Sequence, residues 1–308
     1  MQRLRRSWER HWYAWAMVGP VVVVIAVLVL YPLLYGLFLS FTDANEANVA
    51  KNIGANHIPA TFHLVGLHNY WQVLSGADGH FYPRLVWTIV WTVGCVAFTY
   101  GIGVGLAVLL NRPIRGKIFY RLALILPWAV PNFIGVYAWR LMLNGQYGVF
   151  NRIIGLVGIP GQAWLDGETA QKVAVIIVNV WLGVPFMVVA LLGGLQSIPA
   201  ELHEAGEMDG ASPWQRFRSI TLPSLRPVSS TVILLGTIWT FNMFNVIYLL
   251  LGQNTTGSTD ILVTYGYNLV FNGVANYSMG STYGIVVLLI LLGFSIFYGR
   301  RQLKEEQL

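Results

Sequence analysis

Residues 201–223 read ELHEAGEMDGASPWQRFRSITLP. The stretch lies between two long apolar runs, 173–195 and 228–251, and holds Glu201, Glu204, Glu207 and Asp209, four of the thirteen acids in the chain. So charged a segment between two lipid-like runs is either a solvated linker or a docking element. Its local chemistry specifies two short helices. Pro199 suits a first helical turn, where a missing N–H costs nothing, and Gly210 suits the residue after a helix end. Between them Leu202, Ala205 and Met208 form an apolar stripe beside an acidic one of Glu201, Glu204 and Glu207. A second helix is predicted after Ser212, with Pro213 at its first position and Gln215 completing a Ser-x-x-Gln capping box. Arg216 and Arg218 follow.

The rest of the chain is made for a membrane. Of 308 residues, 56% are hydrophobic and only 10% charged, against roughly 25% charged in a soluble domain. So little charge cannot cover a water-facing surface, and the excess of +6 does not turn such a chain into a nucleic-acid binder. Cys95, the one cysteine, lies in an apolar run and reads as a packed thiol. The basic N-terminus precedes an apolar run too long for a signal peptide, so a retained anchor is expected. A spanning helix needs about 20 mostly apolar residues. Six segments qualify, at roughly 14–39, 85–110, 118–141, 173–195, 228–251 and 281–299. Strands of a membrane barrel would be shorter and strictly alternating.

The basic residues orient these spans. With the N-terminus inside, the cytoplasmic side collects Arg3, Arg5, Arg6 and Arg10, then Arg112, Arg115, Lys117 and Arg121. Arg216, Arg218, Arg226, Arg300, Arg301 and Lys304 join them. The outer side keeps only Lys51, Arg84, Arg140, Arg152 and Lys172. Both termini and the 201–223 stretch are therefore expected in the cytoplasm. The outer loops, 40–84, 142–172 and 252–280, are rich in Trp, Tyr, Asn and Gly, as an interfacial belt or a docking face requires.

Several chemistries are excluded. There is no GxxxxGK[ST] phosphate loop, no HExxH, no paired cysteine ligands and no GxSxG. The spans hold almost no ionisable groups, which ion-coupled carriers use as coupling sites. They offer amides, hydroxyls, aromatics and glycines, which suit a neutral, hydroxyl-rich solute. The energy for transport must then come from another subunit. The competing class is a stand-alone carrier or passive pore.

The 201–223 stretch resembles the EAA motif of binding-protein-dependent ABC importer permeases: Glu-Ala-Ala, three residues, Gly, nine residues, Ile-x-Leu-Pro. Here stand Glu204, Ala205, Gly206, then Gly210, Ile220, Leu222 and Pro223, at the same spacings. Gly206 replaces the usual Ala. The segments 121–144, 179–205, 240–250 and 259–273 resemble carbohydrate-importer permeases, most nearly the MalF-like maltose/maltodextrin type.

The resemblance implies an all-α membrane fold of six transmembrane helices, a type I ABC importer permease (MetI-like) core. It implies a cytoplasmic N-terminus (1–13), a first span (14–39), an outer loop (40–84), a five-helix core (85–299) and a cytoplasmic tail (300–308). The loop 196–227 becomes the coupling loop, with Glu204, Ala205, Gly206, Asp209, Gly210, Ile220, Leu222 and Pro223 facing a separate ATPase. The chain itself then binds no cofactor, ATP and Mg belonging to the ATPase. The implied partners are a second homologous permease, two ATPase subunits and an extracytoplasmic sugar-binding protein. One span precedes the shared core here, where the best-known member has more spans and a large outer insertion.

Three prolines, Pro127, Pro131 and Pro185, fall inside predicted spans, where proline removes an N–H and clashes with the preceding turn. Kinks that free carbonyls are expected there, at a depth where irregular backbone lines cavities. Asn132, Asn179 and Asn242 come from three such spans and both donate and accept hydrogen bonds. Trp128, Phe186 and Trp239 offer flat faces for sugar rings. The resemblance places the sugar-lining positions on Trp128, Asn132, Asn179, Leu182, Gly183 and Phe186, with Trp239 and Asn242 on the fifth span and Asn245 as the alternative register. A lone intramembrane Asn serves equally well as interhelical glue. The Gly101, Gly103 and Gly105 run reads as close helix packing.

Overall fold

The computed structural model describes residues 2–54, 56–252 and 257–305. In chain order the described elements begin with α1 (Gln2–Ile25), which runs through a π-helical turn (Ala26–Leu30) into α2 (Tyr31–Leu39). Next come β1 (Lys51–Ile53), β2 (Asn56–Ile58), α3 (His68–Leu74), α4 (Phe81–Asn111), α5 (Lys117–Ala129), α6 (Asn132–Met142) and α7 (Val149–Gly155). The long α8 (Glu168–Gln196) leads into α9 (Ala200–Met208), α10 (Pro213–Arg216), a second π-helical turn (Phe217–Thr221) and α11 (Leu222–Ser224). The chain ends with α12 (Arg226–Phe241), α13 (Phe244–Leu251), α14 (Leu262–Phe271) and α15 (Tyr277–Glu305).

Four uninterrupted stretches are long and apolar enough to cross a bilayer: Trp15–Leu39, Phe81–Asn111, Glu168–Gln196 and Tyr277–Gln302. Two further candidate spans are bent pairs, α5 with α6 at 97° and α12 with α13 at 42°. The bend in 118–141 falls at one of the prolines where a kink was expected, whereas the bend in 228–251 was not expected. The first break has a legible cause. Pro131 forces Val130 out of helical geometry (φ −98°, ψ 133°) and itself sits at φ −51°, ψ 133°, outside the helix. The second break is at Asn242 and Met243, without a proline. Pro127 and Pro185 lie within helices that continue through them, so of the three prolines only Pro131 ends one.

The chain forms two compact units. One comprises residues up to 79 together with 265–288. In it, Asn69 on α3 donates to the carbonyls of Ser40 (3.0 Å) and Thr42 (2.7 Å), and the Tyr70 hydroxyl meets that of Ser40 at 2.6 Å. A short antiparallel hairpin pairs Lys51 with Ile58. Tyr283 donates to the Asp78 carboxylate. The described residues of 40–79 thus carry structure of their own within this unit rather than bare connection.

The other unit, 80–264 with 289–308, holds the helices that carry the predicted sites. Its core has two clusters. One gathers Trp87, Trp91, Val136, Val175, Val178 and Ile247; the other gathers Leu110, Met187, Leu191, Leu195, Leu225 and Val232. Several buried polar groups are paired across the helices, as a backbone in lipid favours. Trp87 Nε1 donates to the Thr259 carbonyl and Trp91 Nε1 to the Thr240 carbonyl, both at 3.0 Å, while the Tyr100 hydroxyl donates to Ser229 Oγ at 2.9 Å. The seam between α4 and α8 depends on small residues. A Cβ on Gly103 would lie 2.6 Å from the Met187 Cβ, and one on Gly236 of α12 would lie 2.8 Å from the Met187 terminal methyl. Gly101 and Gly105 face open space, so of the run only Gly103 serves close packing.

Candidate functional site

Two sites stand on the second unit. The first is the charged loop. Helix α9 has Pro199 as its N-cap, one position earlier than a first-turn proline. It ends in a Schellman arrangement: Ala211 N–H donates to the Gly206 carbonyl at 2.9 Å and Gly210 N–H to the Glu207 carbonyl at 3.0 Å. Gly210 adopts φ +76°, the left-handed conformation such an end requires. The capping box on α10 is present, Ser212 N–H donating to Gln215 Oε1 (2.7 Å) and Gln215 N–H to Ser212 Oγ (3.3 Å).

The two helices are locked together. Arg216 bonds Glu207 at 2.6 Å, and Gly206 lets the Ile220 side chain come close: an added Cβ would sit 3.0 Å from Ile220 Cδ1. Ala at 206, the usual residue of the motif, would need Ile220 and Arg216 to give way by a few tenths of an ångström. Glu204, Ala205, Asp209 and Leu222 are exposed, whereas Ile220 and Pro223 are half-buried. The apolar stripe of α9 also points to water, with Leu202 47% and Met208 88% exposed. Trp214, which the sequence reading did not single out, is 67% exposed and stacks on Phe217 at 5.5 Å. Its signal was there: a tryptophan in an otherwise charged loop. A cavity of about 640 Å³ beside this pair is lined by Arg112, His203, Glu204, Pro213, Arg216 and Phe217, among others.

The second site is an aromatic cluster from three helices. Trp128 of α5 stacks on Phe186 of α8 at 6.0 Å, and Phe186 meets Trp239 of α12 edge-on at 4.9 Å. Both tryptophans remain about half exposed, at 51% and 50%. Asn132 opens α6 just past the Pro131 break, and its buried Oδ1 has no hydrogen-bond partner. Asn242 closes α12 at the other break, exposed, with its amide donating weakly to the Ile238 carbonyl at 3.4 Å. Asn245 is exposed one turn on.

The remaining predicted positions lie differently. Asn179, Leu182, Gly183 and Phe186 recur at i, i+3, i+4 and i+7, one face of α8. Yet Asn179 is buried, Leu182 is buried in the core cluster that also holds Cys95, and a Cβ on Gly183 would meet the Thr99 methyl at 2.8 Å. Those three serve packing between α4 and α8 in this conformation. What stays exposed is an uncharged platform of two tryptophan rings on Phe186, while the unpaired Asn132 amide oxygen is buried beside the helix break. Such a surface can stack on the apolar face of a ring and hydrogen-bond hydroxyls. Among the described residues no three His, Cys, Asp or Glu side chains gather as metal ligands.

Apolar spans, two of them bent, with a capped, charged helix pair in the loop between α8 and α12, are the layout of a membrane permease subunit. Residues 99–303 match the family described as the binding-protein-dependent transport system inner membrane component, and the chain belongs to that family. Its members are permease subunits of ABC importers, in which separate subunits hydrolyse ATP. The chain is similar to the trehalose/maltose transport system permease protein of Thermococcus litoralis, 33% identical over 286 residues, 92% of this chain and 90% of the relative. It is similar to the galactooligosaccharides transport system permease protein of Bacillus subtilis, 31% identical over 306 residues, 96% and 71% of the two chains. Among solved structures, a bacterial ABC transporter for import of the acidic polysaccharide alginate shares the fold, with a TM-score of 0.80 at 21% identity, covering 98% of this chain and 99% of that one.

Proposed function

We propose that this chain is one of two homologous permease subunits of an ATP-driven importer for a neutral oligosaccharide, with maltose or a maltodextrin as the solute. The observation that carries the solute class is the Trp128–Phe186–Trp239 cluster with the unpaired Asn132 oxygen. Aromatic faces suit pyranose rings, and the absence of charged side chains among these residues favours a neutral sugar over an acidic one. The names of the relatives point to trehalose, maltose and galactooligosaccharides, which share the same uncharged chemistry.

The mechanism follows from the two sites. A sugar-binding protein docks on the outer face, and two ATPase subunits hold the paired α9–α10 elements of the two permeases. ATP closes the ATPase dimer and draws those elements together. The Arg216–Glu207 pair and the Gly206–Ile220 contact make α9 and α10 move as one body, so the motion reaches α8 and α12 on either side of the loop. Alternating access is then a two-state equilibrium biased from both sides of the membrane. The breaks at Pro131 and Asn242, next to Asn132 and near Trp239, support a sugar platform where the spans bend. The basic-residue asymmetry supports a cytoplasmic location for the loop and both termini of this inner-membrane component.

The test is uptake of radiolabelled maltotriose into proteoliposomes holding the purified complex and its binding protein, with ATP inside. ATP-dependent uptake that Glu204→Lys abolishes is expected. Equal flux without ATP would mean a stand-alone carrier or pore, and ATP-dependent uptake of a different sugar alone would correct the solute.

A further inference from the structure

On the side of α8 away from Asn179 and Phe186, two cavities open between α4, α5 and α8. The smaller, about 220 Å³, is lined by Leu110, Arg121, Leu124, Val189, Leu192 and Gln196, among others. The larger, about 670 Å³, is lined by Ile102, Leu124, Pro127, Val173, Val180 and Val184, among others. They meet at Leu124 and Pro185, which line both. Together they form one groove along α8 from Gln196 to Val173, about 35 Å at the helical rise of ~1.5 Å per residue. That is comparable to a hydrocarbon core of about 30 Å.

Arg121 and Gln196 are the polar residues lining this groove, and both sit at its loop end. Arg121 lies one turn inside α5, and its Nε is buried without a hydrogen-bond partner. A guanidinium is a fork of donors with no acceptor, so an unpaired Nε calls for an anion. No acid in the chain lies near it in sequence, since none occurs between Asp78 and Asp166. Arg121 is the one charged side chain among the residues lining either cavity, so the charge at this end of the groove is positive. Basic pockets between spanning helices at a membrane surface are where anionic lipid headgroups bind.

We infer that this groove is a binding site for an anionic phospholipid, the phosphate seated on Arg121 and an acyl chain laid along Leu124, Val189 and Val184. Charge complementarity at the Arg121 end and the apolar walls beyond it fit one amphiphile. A free phosphate uses only the first feature, and a neutral helix only the second. The site is independent of which solute the permease carries.

The intact complex, purified in mild detergent and exchanged into nanodiscs containing equal phosphatidylglycerol and phosphatidylcholine, is analysed by native mass spectrometry. Wild type is expected to retain phosphatidylglycerol through detergent washing, and Arg121→Gln to retain about tenfold less, as loss of a charge-assisted pair predicts. Arg115→Gln, at an exposed residue that does not line the groove, should leave retention unchanged. A photoreactive residue at Val189 in an otherwise wild-type chain should give a lipid adduct. Equal retention in wild type and Arg121→Gln, or a Val189 adduct to another protein subunit, would overturn the site. Retention of inorganic phosphate without lipid would overturn it as well.

Discussion

Gly103 offers the sharpest test of how the bundle is held together. A methyl group there would lie 2.6 Å from the Met187 Cβ, where carbon atoms prefer about 3.5–4.0 Å. Gly103→Ala therefore demands a separation of α4 from α8 by about 1 Å. Met187 cannot retreat, because its terminal methyl already abuts Gly236 on α12. Overpacking of this kind costs about 1–3 kcal/mol, and the better helix propensity of Ala returns up to about 1 kcal/mol. The net expectation is a loss of about 1–2 kcal/mol. Gly101→Ala and Gly105→Ala meet nothing within 4 Å and should keep the propensity gain. Cys95 is buried and is the only cysteine, so a thiol-reactive dye reports opening of the purified chain directly. The melting midpoint of Gly103→Ala should fall by a few degrees while the two controls hold or rise. Equal midpoints for all three variants would refute the close α4–α8 seam.

Three further outcomes are expected. Phe186→Ala removes the ring shared by Trp128 and Trp239, two aromatic pairs worth about 0.5–1.5 kcal/mol each; sugar uptake should fall at least about tenfold while the complex still assembles, as checked by size-exclusion chromatography beside the transport assay. Met208→Asp and Trp214→Asp alter side chains that face water and should change stability by no more than about 0.5 kcal/mol, yet lower recovery of the ATPase in co-purification if these residues anchor it. Gly210→Val forces a β-branched residue into φ +76° and should destabilise the loop by about 1–3 kcal/mol, visible as faster proteolysis between α9 and α10.

The sequence made the apolar spans and the charged loop legible because both rest on local rules: run length, charge asymmetry, and caps. Ser212, Gln215 and Gly210 specify their turns without help from distant residues. The aromatic platform was legible in composition but not in register, since nothing local decides whether Trp239 meets Phe186. The packing roles of Asn179, Leu182 and Gly183 were hidden for the same reason: a helix face can turn toward solute or toward a neighbour, and only the position of Thr99 and Cys95 on α4 decides. Gly103 could not be told from Gly101 and Gly105 without knowing which face of α4 meets Met187. The break at Pro131 was visible as a proline, the one at Asn242–Met243 was not, and the hairpin at 51–58 carries too few apolar residues to announce itself.

The central claim is that the α9–α10 pair couples this permease to a separate ATPase. Its most direct test is affinity purification of the tagged chain from native membranes in mild detergent, with mass spectrometry of what comes with it. The account predicts recovery of a P-loop ATPase and a second permease bearing the same loop motif, both lost in Glu204→Lys. Recovery of the chain alone, under conditions that keep other ABC complexes intact, would contradict it.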